Sequence, residues 1–380
     1  MFEYMRTGKY FAQIAGGLEA HAKEELIDLG AEIVQEVPRG IRFACNPETL
    51  YKIIYNARLV QRVLAPLISL DCHSEKYLYS QLNKNVDWTS LFRLDDVFSI
   101  ISNVSDSKIG NSLYAGQVMK DAICDQFREK YNARPDFSTK DPDISFSLHI
   151  RKNIATVSLD VAGKSLHKRN YRQGVNVAPM QETLAAAVIK LTEWKGENVL
   201  MDIMCGSGTL IIEALMRYCS IPAGYLRDDS GIYYMPDFDE ALWQKVRKDS
   251  NDAIIELPEG LIFGSDVSSK SLSYARKALD LLPSGDKVTL EVARFQDLPA
   301  GQDRTIVCNP PYGVRMGSVE RSAELYAEIG DFLKQKCPAS VGYILCGSAE
   351  LVPKLRLRAH WKKSLKNGDL DTKLAKIIIR

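Results

Sequence analysis

A planar amine could be held by the residue types of one short segment, Asn309-Pro310-Pro311-Tyr312. The segment follows the apolar run RTIVC, which predicts a strand, and two prolines cannot continue a central strand. The Pro310 carbonyl would then accept one amine hydrogen, the Asn309 side-chain oxygen would accept the other, and Tyr312 would stack on the ring. Such a site holds a nitrogen in line with a methyl group, without a metal or a nucleophilic side chain. The alternative is a proline-rich loop that binds nothing.

A glycine turn stands earlier in the chain, in the segment DIMCGSGT at residues 202–209. It joins the apolar run NVLM, a predicted strand, to the predicted helix TLIIEALMRY. Two glycines allow the backbone to approach a ligand closely and to direct the N–H groups of a helix start at it. A dinucleotide site would need a third glycine where Ile211 stands, whereas Asp202 at the strand end could meet the amino group of S-adenosylmethionine. A tight turn without a ligand remains an alternative.

Two more carboxylates stand where predicted strands end. Asp266 follows the run GLIF, where a carboxylate could take both ribose hydroxyls of a nucleoside cofactor. The alternative role for Asp266 is to cap the predicted helix SSKSLSYARKAL. Asp297 follows the run KVTLEVARFQ and could bond an adenine amine, or it could be an ordinary turn residue.

Two basic stretches are candidates for nucleic-acid contact. The first, KSLHKRNYR at residues 164–172, could contact phosphates through Lys168, Arg169 and Arg172 and stack on a base through Tyr171. The second, residues 351–380, holds nine Lys and Arg against two Asp. For both stretches the alternative is a solvated surface.

The elements that must position these residues fall into three predicted units. Residues 1–70 show the order βαββαβ, which is the ferredoxin-like unit. Residues 71–163 contain two predicted helices and three predicted strands. Residues 164–380 alternate strands with helices, which predicts a mostly parallel α/β sheet. Ligands of such sheets bind at the carboxyl ends of the strands, where the polar motifs stand.

The composition is that of an ordinary soluble protein. The 380 residues have a net charge of +1 and are 46% hydrophobic, so the chain is neither uniformly basic nor uniformly acidic. It lacks an apolar run of about 18 residues, so no membrane span is expected. The eight cysteines form no C-x-x-C pair and the five histidines are scattered, so no metal site is expected. Without a secretory signal, we expect a cytoplasmic protein with reduced thiols and no obligate protein partner.

The motifs together resemble a known family. DIMCGSGT, GSD and NPPYG are similar to motifs I, II and IV of S-adenosylmethionine-dependent amino-methyltransferases. LHKRNYR and APMQETLAAA resemble the entry to the catalytic domain of THUMP-containing RNA methyltransferases, and the first 163 residues resemble their ferredoxin-like and THUMP modules. The resemblance implies an α/β fold, in which a Rossmann-like class I methyltransferase domain follows α+β ferredoxin-like and THUMP modules. It also implies the insertion between Asp202 and Asp266.

The resemblance implies methyl transfer from S-adenosylmethionine to an exocyclic base amine of a structured RNA, with guanine N2 of 23S rRNA as the nearest match. A tRNA guanine-N2 methyltransferase, a DNA adenine-N6 methyltransferase and a catalytically silent RNA-binding module are the alternatives. The implied catalytic residues are Asn309, Pro310, Pro311 and Tyr312. The implied cofactor-binding residues are Met180, Asp202, Cys205, Gly206, Ser207, Gly208, Asp266, Val267, Asp297 and Asn309. The expected RNA contacts are Lys168, Arg169, Tyr171, Arg172 and Arg315.

Overall fold

Two seven-stranded sheets organise the chain in this computed structural model, which describes residues 1–172, 180–228, 231–311, 319–368 and 370–380. Among those residues, no helix combines the length and the apolar character that a bilayer span requires. The expected fold class, a Rossmann-like domain after ferredoxin-like and THUMP modules, is confirmed.

The predicted order βαββαβ is present in the first unit, preceded by a short helix. The elements are α1 (Glu3–Thr7), β1 (Lys9–Ile14), α2 (Glu19–Asp28), β2 (Glu32–Val37), β3 (Gly40–Ala44), α3 (Pro47–Asn56) and β4 (Val60–Asp71). Local sequence explains where α3 begins, because the Asn46 side chain accepts a hydrogen bond from the Thr49 N–H at 2.8 Å and Pro47 takes the first helical position.

The second unit continues the same sheet. Its elements are α4 (Glu75–Asn85), β5 (Phe98–Ser105), α5 (Ser112–Tyr131), β6 (Ile144–Arg151) and β7 (Ile154–Asp160). Strand β7 pairs antiparallel with β4, so the sheet order is β2-β3-β1-β4-β7-β6-β5. The two N-terminal units are therefore one continuous sheet, which the sequence pattern of each unit does not reveal.

The third unit builds the second sheet. Its elements are α6 (Glu182–Thr192), β8 (Val199–Asp202), α7 (Thr209–Tyr218), α8 (Glu240–Asp252), β9 (Ile262–Asp266), α9 (Ser269–Leu279), β10 (Thr289–Val292), β11 (Arg304–Cys308), α10 (Val319–Lys336), β12 (Val341–Cys346), β13 (Ala359–Asn367) and β14 (Leu370–Ile378). The order is β10-β9-β8-β11-β12-β14-β13, with the first five strands parallel. The strand order reverses between β8 and β11, and such a reversal opens a ligand crevice at the carboxyl ends.

The insertion between β8 and β9 fastens the catalytic domain to the ferredoxin-like unit. The Tyr4 hydroxyl donates to Asp237 Oδ1 at 2.6 Å, and the Tyr55 hydroxyl donates to Asn251 Oδ1 at 2.9 Å. The buried Trp243 ring meets Tyr55 edge-on, with ring centroids 5.7 Å apart. In the ferredoxin-like unit, Arg58 Nη2 donates to the backbone carbonyls of Met216 and Ile221, which lie at the end of α7 and just after it. The two units therefore share buried polar and aromatic contacts.

Removing residues 1–163 is expected to destabilise the catalytic domain. The deletion would expose Trp243 and leave the buried carbonyls of Met216 and Ile221 without their Arg58 donor. A fragment of residues 164–380 should therefore aggregate, or unfold at lower urea than the full chain. Size-exclusion chromatography and urea unfolding of both proteins check this. A monomeric fragment with the urea midpoint of the full chain would contradict it.

Candidate active site

Three of the predicted polar residues lie at the same edge of the second sheet. Asp202 ends β8, Asp266 ends β9 and Asn309 directly follows β11. Strand β8 pairs in parallel with both β9 and β11, so the three carboxyl ends share an edge. Neighbouring strands lie about 4.8 Å apart, which places the three backbones within roughly 10 Å. The topology thus brings residues that are far apart in the chain to the cleft that a reversal of strand order opens.

The glycine turn forms one wall of this cleft. Gly206 and Gly208 have φ values of +55° and +82°, a region that favours glycine. A Cβ at Gly208 would lie 2.9 Å from the Ala275 Cβ, so Gly208 allows α7 to pack on α9. A Cβ at Gly206 would have no atom within 4 Å, so the Gly206 backbone faces open space. The turn therefore has one glycine for packing and one that leaves the backbone open to a ligand.

Asp266 is oriented by two backbone donors. Its Oδ2 accepts from the Gly206 N–H and its Oδ1 accepts from the Ser268 N–H, both at 2.9 Å. The helix cap that was the alternative role for Asp266 belongs to Ser268, whose side chain accepts from the Ser271 N–H at 3.1 Å. A carboxylate offers about four acceptor positions, so two remain for the hydroxyls of a ribose.

Asp202 is a buried carboxylate without a described cationic neighbour. It is 1% exposed, and its Oδ1 accepts from the Met204 N–H at 3.1 Å. Burial, and secondarily the charge of Asp266, raises the pKa of Asp202 to about 8. A ligand with an amino group would supply the missing positive partner, so this carboxylate fits the amino acid end of S-adenosylmethionine.

Asp202→Asn is expected to change the pH dependence of stability. Because the pKa of Asp202 is raised on folding, its contribution is most favourable below the ordinary value near 3.8 and is lost as the pH rises through about 8. Asparagine does not ionise, so the variant should gain stability relative to wild type at pH 8.5 and gain less at pH 5. Urea unfolding at both pH values measures this. A difference that does not change with pH would contradict the assignment.

Asn309 presents an unused hydrogen-bond acceptor. Its Oδ1 is buried and has no hydrogen-bond partner among the described residues. A buried acceptor left without a donor costs about 1–3 kcal/mol, so its presence at the cleft suggests a donor that arrives with a ligand. Pro310 is buried beside it, whereas the predicted residues Tyr312 and Arg315 lie outside the described residues.

The remaining predicted cofactor residues differ in exposure. Cys205 is buried, its N–H donates to the Ser265 carbonyl at 2.9 Å, and burial raises the pKa of its thiol well above the usual range. The thiol is thus neutral and cannot serve as a nucleophile. The others are buried Met180, half-buried Ser207, Val267 at 66% exposure, and exposed Asp297 on the short turn after β10.

The predicted RNA contacts need correction at two positions. Lys168 is exposed, as an RNA contact requires. Arg169 and Tyr171 are each 1% exposed, because both side chains reach Glu213 on α7 in the interior. They offer no surface to RNA. Arg172 is 19% exposed and is bonded to Thr209. The signal that could have revealed this is Glu213 itself, the single acidic residue in the middle of the mostly apolar helix TLIIEALMRY.

The basic C-terminal segment contains the antiparallel pair β13–β14, which extends the second sheet beyond β12. Lys362, Lys363 and Lys366 are exposed on β13, an edge strand, where lysines also oppose strand-to-strand aggregation. Its contact with RNA stays a prediction. Across the described ranges, no cluster of His, Cys, Asp and Glu could hold a metal ion.

Comparison with known proteins agrees with this geometry. The RMKL-like methyltransferase domain model matches residues 169–376, the THUMP domain model matches residues 74–160, and the RlmL ferredoxin-like domain model matches residues 9–64. A protein of Synechocystis sp. named "Putative RNA methyltransferase slr0064" is 32% identical over 97% of this chain and 96% of its own length.

Solved structures of similar chains extend the match. The protein SMU.472, titled "a putative methyltransferase complexed with SAH", is 27% identical, covers 98% of both chains and superposes with a TM-score of 0.85. A possible methylase from Clostridium difficile 630 is 25% identical, with the same coverage and TM-score.

The fold and the cleft are those of a class I methyltransferase. The chain belongs to the RMKL-like methyltransferase family, with a THUMP domain and an RlmL-type ferredoxin-like domain before the catalytic domain. The methyl donor of this family is S-adenosylmethionine, as expected from the glycine turn and its carboxylates.

Proposed function

We propose that this chain methylates guanine N2 in 23S rRNA, in the cytoplasm, with S-adenosylmethionine as the methyl donor. In this proposal residues 1–70 and 71–163 hold the folded RNA, and residues 164–380 do the chemistry. The THUMP match and the relative named as an RNA methyltransferase support RNA as the substrate. The observation that carries the proposal is the buried Asn309 Oδ1 at the carboxyl end of β11, which has no partner among the described residues.

The residues of the cleft fit the cofactor. Asp202 would pair with its amino group, Asp266 would accept from its ribose hydroxyls, and the open Gly206 backbone would lie against it. When bound, the cofactor supplies an electrophilic methyl group. Met180, Cys205, Ser207, Gly208, Val267 and Asp297 complete the proposed binding set.

The proposed chemistry relies on hydrogen-bond acceptors. The exocyclic amine of guanine is conjugated with its ring and is a poor nucleophile. Asn309 Oδ1 and the Pro310 carbonyl would each accept one of its hydrogens, which orients the nitrogen and favours positive charge that builds on it. Tyr312 would stack on the base, and Pro311 would keep the segment rigid. The reacting groups are then held in line, and orientation supplies much of the rate.

The proposal is tested by incubating the purified full chain, without any other protein, with radiolabelled S-adenosylmethionine. Ribosomal RNA and tRNA from a strain that lacks the gene, and unmethylated DNA, serve as three parallel substrates. We expect label in 23S rRNA and N2-methylguanosine after nuclease digestion. Label confined to tRNA would contradict 23S rRNA as the substrate and identify tRNA instead. N6-methyladenine in DNA would identify DNA as the substrate. The absence of label in all three would favour a silent RNA-binding protein.

A further inference from the structure

Arg172 joins the segment that enters the catalytic domain to the start of α7. Its Nη2 donates to Thr209 Oγ1 at 2.9 Å and also to the Met180 carbonyl. Its Nη1 pairs with Glu182 Oε1 at 3.1 Å. Thr209 opens α7 directly after Gly208 of the glycine turn. One guanidinium therefore bridges two segments that the cofactor is expected to touch.

A second buried pair holds the same helix one turn further along. Arg169 Nε lies 3.5 Å from Glu213 Oε1, and both side chains are almost fully buried. The Tyr171 hydroxyl donates to the same carboxylate at 3.2 Å. Arg169 Nη2 also donates to the Arg58 carbonyl at 2.6 Å, which ties this network to the ferredoxin-like unit. Helix α7 is thus fixed at two successive turns by one short segment.

Stability alone does not explain this network. Burying charged pairs costs desolvation, and apolar residues of similar size often serve stability as well or better. Some hydrogen-bonding capacity is left unused, because Arg172 Nε, Glu182 Oε2 and Glu213 Oε2 are buried without hydrogen-bond partners in the part of the chain that the structure describes. What a guanidinium offers that an apolar side chain does not is a planar fork that fixes several acceptors in one geometry.

We infer that Arg172 is a positioning residue for the cofactor site, which holds the first turn of α7 against the Met180 carbonyl so that the glycine turn keeps its binding geometry. This inference rests on the proposed function for the identity of the cofactor. It replaces the predicted RNA contact of Arg172 with a role inside the protein. A binding site keeps its affinity when its supporting contacts hold it in the productive geometry before the ligand arrives.

Thr209 provides a matched pair of variants for the test. Thr209→Val removes the hydroxyl that Arg172 bonds with little change of shape, whereas Thr209→Ser keeps a hydroxyl. We expect Arg172→Lys and Thr209→Val each to weaken S-adenosylhomocysteine binding about 10-fold in titration calorimetry, the low end for losing a hydrogen bond to a charged group. Thr209→Ser should bind like wild type. The double variant Arg172→Lys/Thr209→Val should bind S-adenosylhomocysteine no more weakly than the single variant with the lower affinity. The reason is that both substitutions disrupt the same contact, the hydrogen bond from Arg172 to Thr209.

Two further measurements separate positioning from other roles. RNA affinity of Arg172→Gln, which removes the charge, and its slope with salt concentration should equal wild type, whereas a lost phosphate contact would reduce the slope by about one. Urea unfolding reports whether each variant folds, and if Arg172→Lys does not, the Thr209 pair decides. Normal S-adenosylhomocysteine affinity in Thr209→Val would overturn the inference. Failure of the wild-type chain to bind S-adenosylhomocysteine would instead contradict the proposed function.

Discussion

Asn309→Ala is expected to slow single-turnover RNA methylation by about 10²–10³-fold, the usual effect of removing one hydrogen bond that strengthens in the transition state. Affinity for S-adenosylhomocysteine should stay near that of wild type, because we assign Asn309 Oδ1 to the target amine. Stability should not fall, since the variant removes a buried acceptor that has no partner among the described residues. Rapid-quench methylation, titration calorimetry and urea unfolding of the same preparation measure all three quantities.

Asn309→Asp is the matched variant. It keeps an oxygen acceptor and nearly the same shape, so it should retain more activity than alanine at a pH at which the carboxylate is ionised. Methylation by Asn309→Ala at the wild-type rate would remove this side chain from the mechanism. A large loss of cofactor affinity in Asn309→Ala would place the side chain against the cofactor instead.

Asp266→Ala is expected to weaken S-adenosylhomocysteine binding about 10- to 150-fold, the range for losing hydrogen bonds to a charged group. The carboxylate would no longer accept from the ribose hydroxyls. The substitution would also leave the Gly206 N–H of the glycine turn without its acceptor, Asp266 Oδ2, which lies 2.9 Å away in the wild-type chain. Stability should fall as well, because the Ser268 N–H loses its acceptor. Calorimetric titration of the folded variant gives the affinity.

Ser268→Ala is the control for Asp266→Ala. It removes the cap of α9, which costs about 1 kcal/mol of stability, and it leaves the carboxylate in place. The control should thus lose stability without losing cofactor affinity. If the two variants lose affinity equally, the position of α9 is what matters, and the ribose contact of Asp266 is wrong.

Local sequence was sufficient to predict most of the elements and their order. Asn46 with Pro47 marks the start of α3, and the apolar runs before Asp202, Asp266 and Asn309 mark three parallel strands whose ends must share an edge. Short-range signals of this kind come from capping, turn chemistry and periodicity, which depend on neighbouring residues.

Contacts between residues far apart in the chain could not be predicted from these local signals. The pairing of β4 with β7 joins two predicted units into one sheet, and no pattern within either unit specifies that contact. The basic segment 164–172 has the composition of a solvated linker, yet Arg169 is buried because Glu213 meets it from α7. Likewise, the pair β13–β14 was not predicted, since the lysines of an edge strand mask its alternation.

The most direct test of the proposed reaction is mass spectrometry of nucleosides from 23S rRNA of a strain that lacks the gene. The rRNA is compared after complementation with the wild-type chain, with Asn309→Ala, or with an empty vector. We predict that one N2-methylguanosine is absent from the empty-vector strain, returns with the wild-type chain and stays largely absent with Asn309→Ala. An unchanged 23S rRNA profile in all three strains, with the difference instead in tRNA or in DNA adenine, would contradict the proposed substrate.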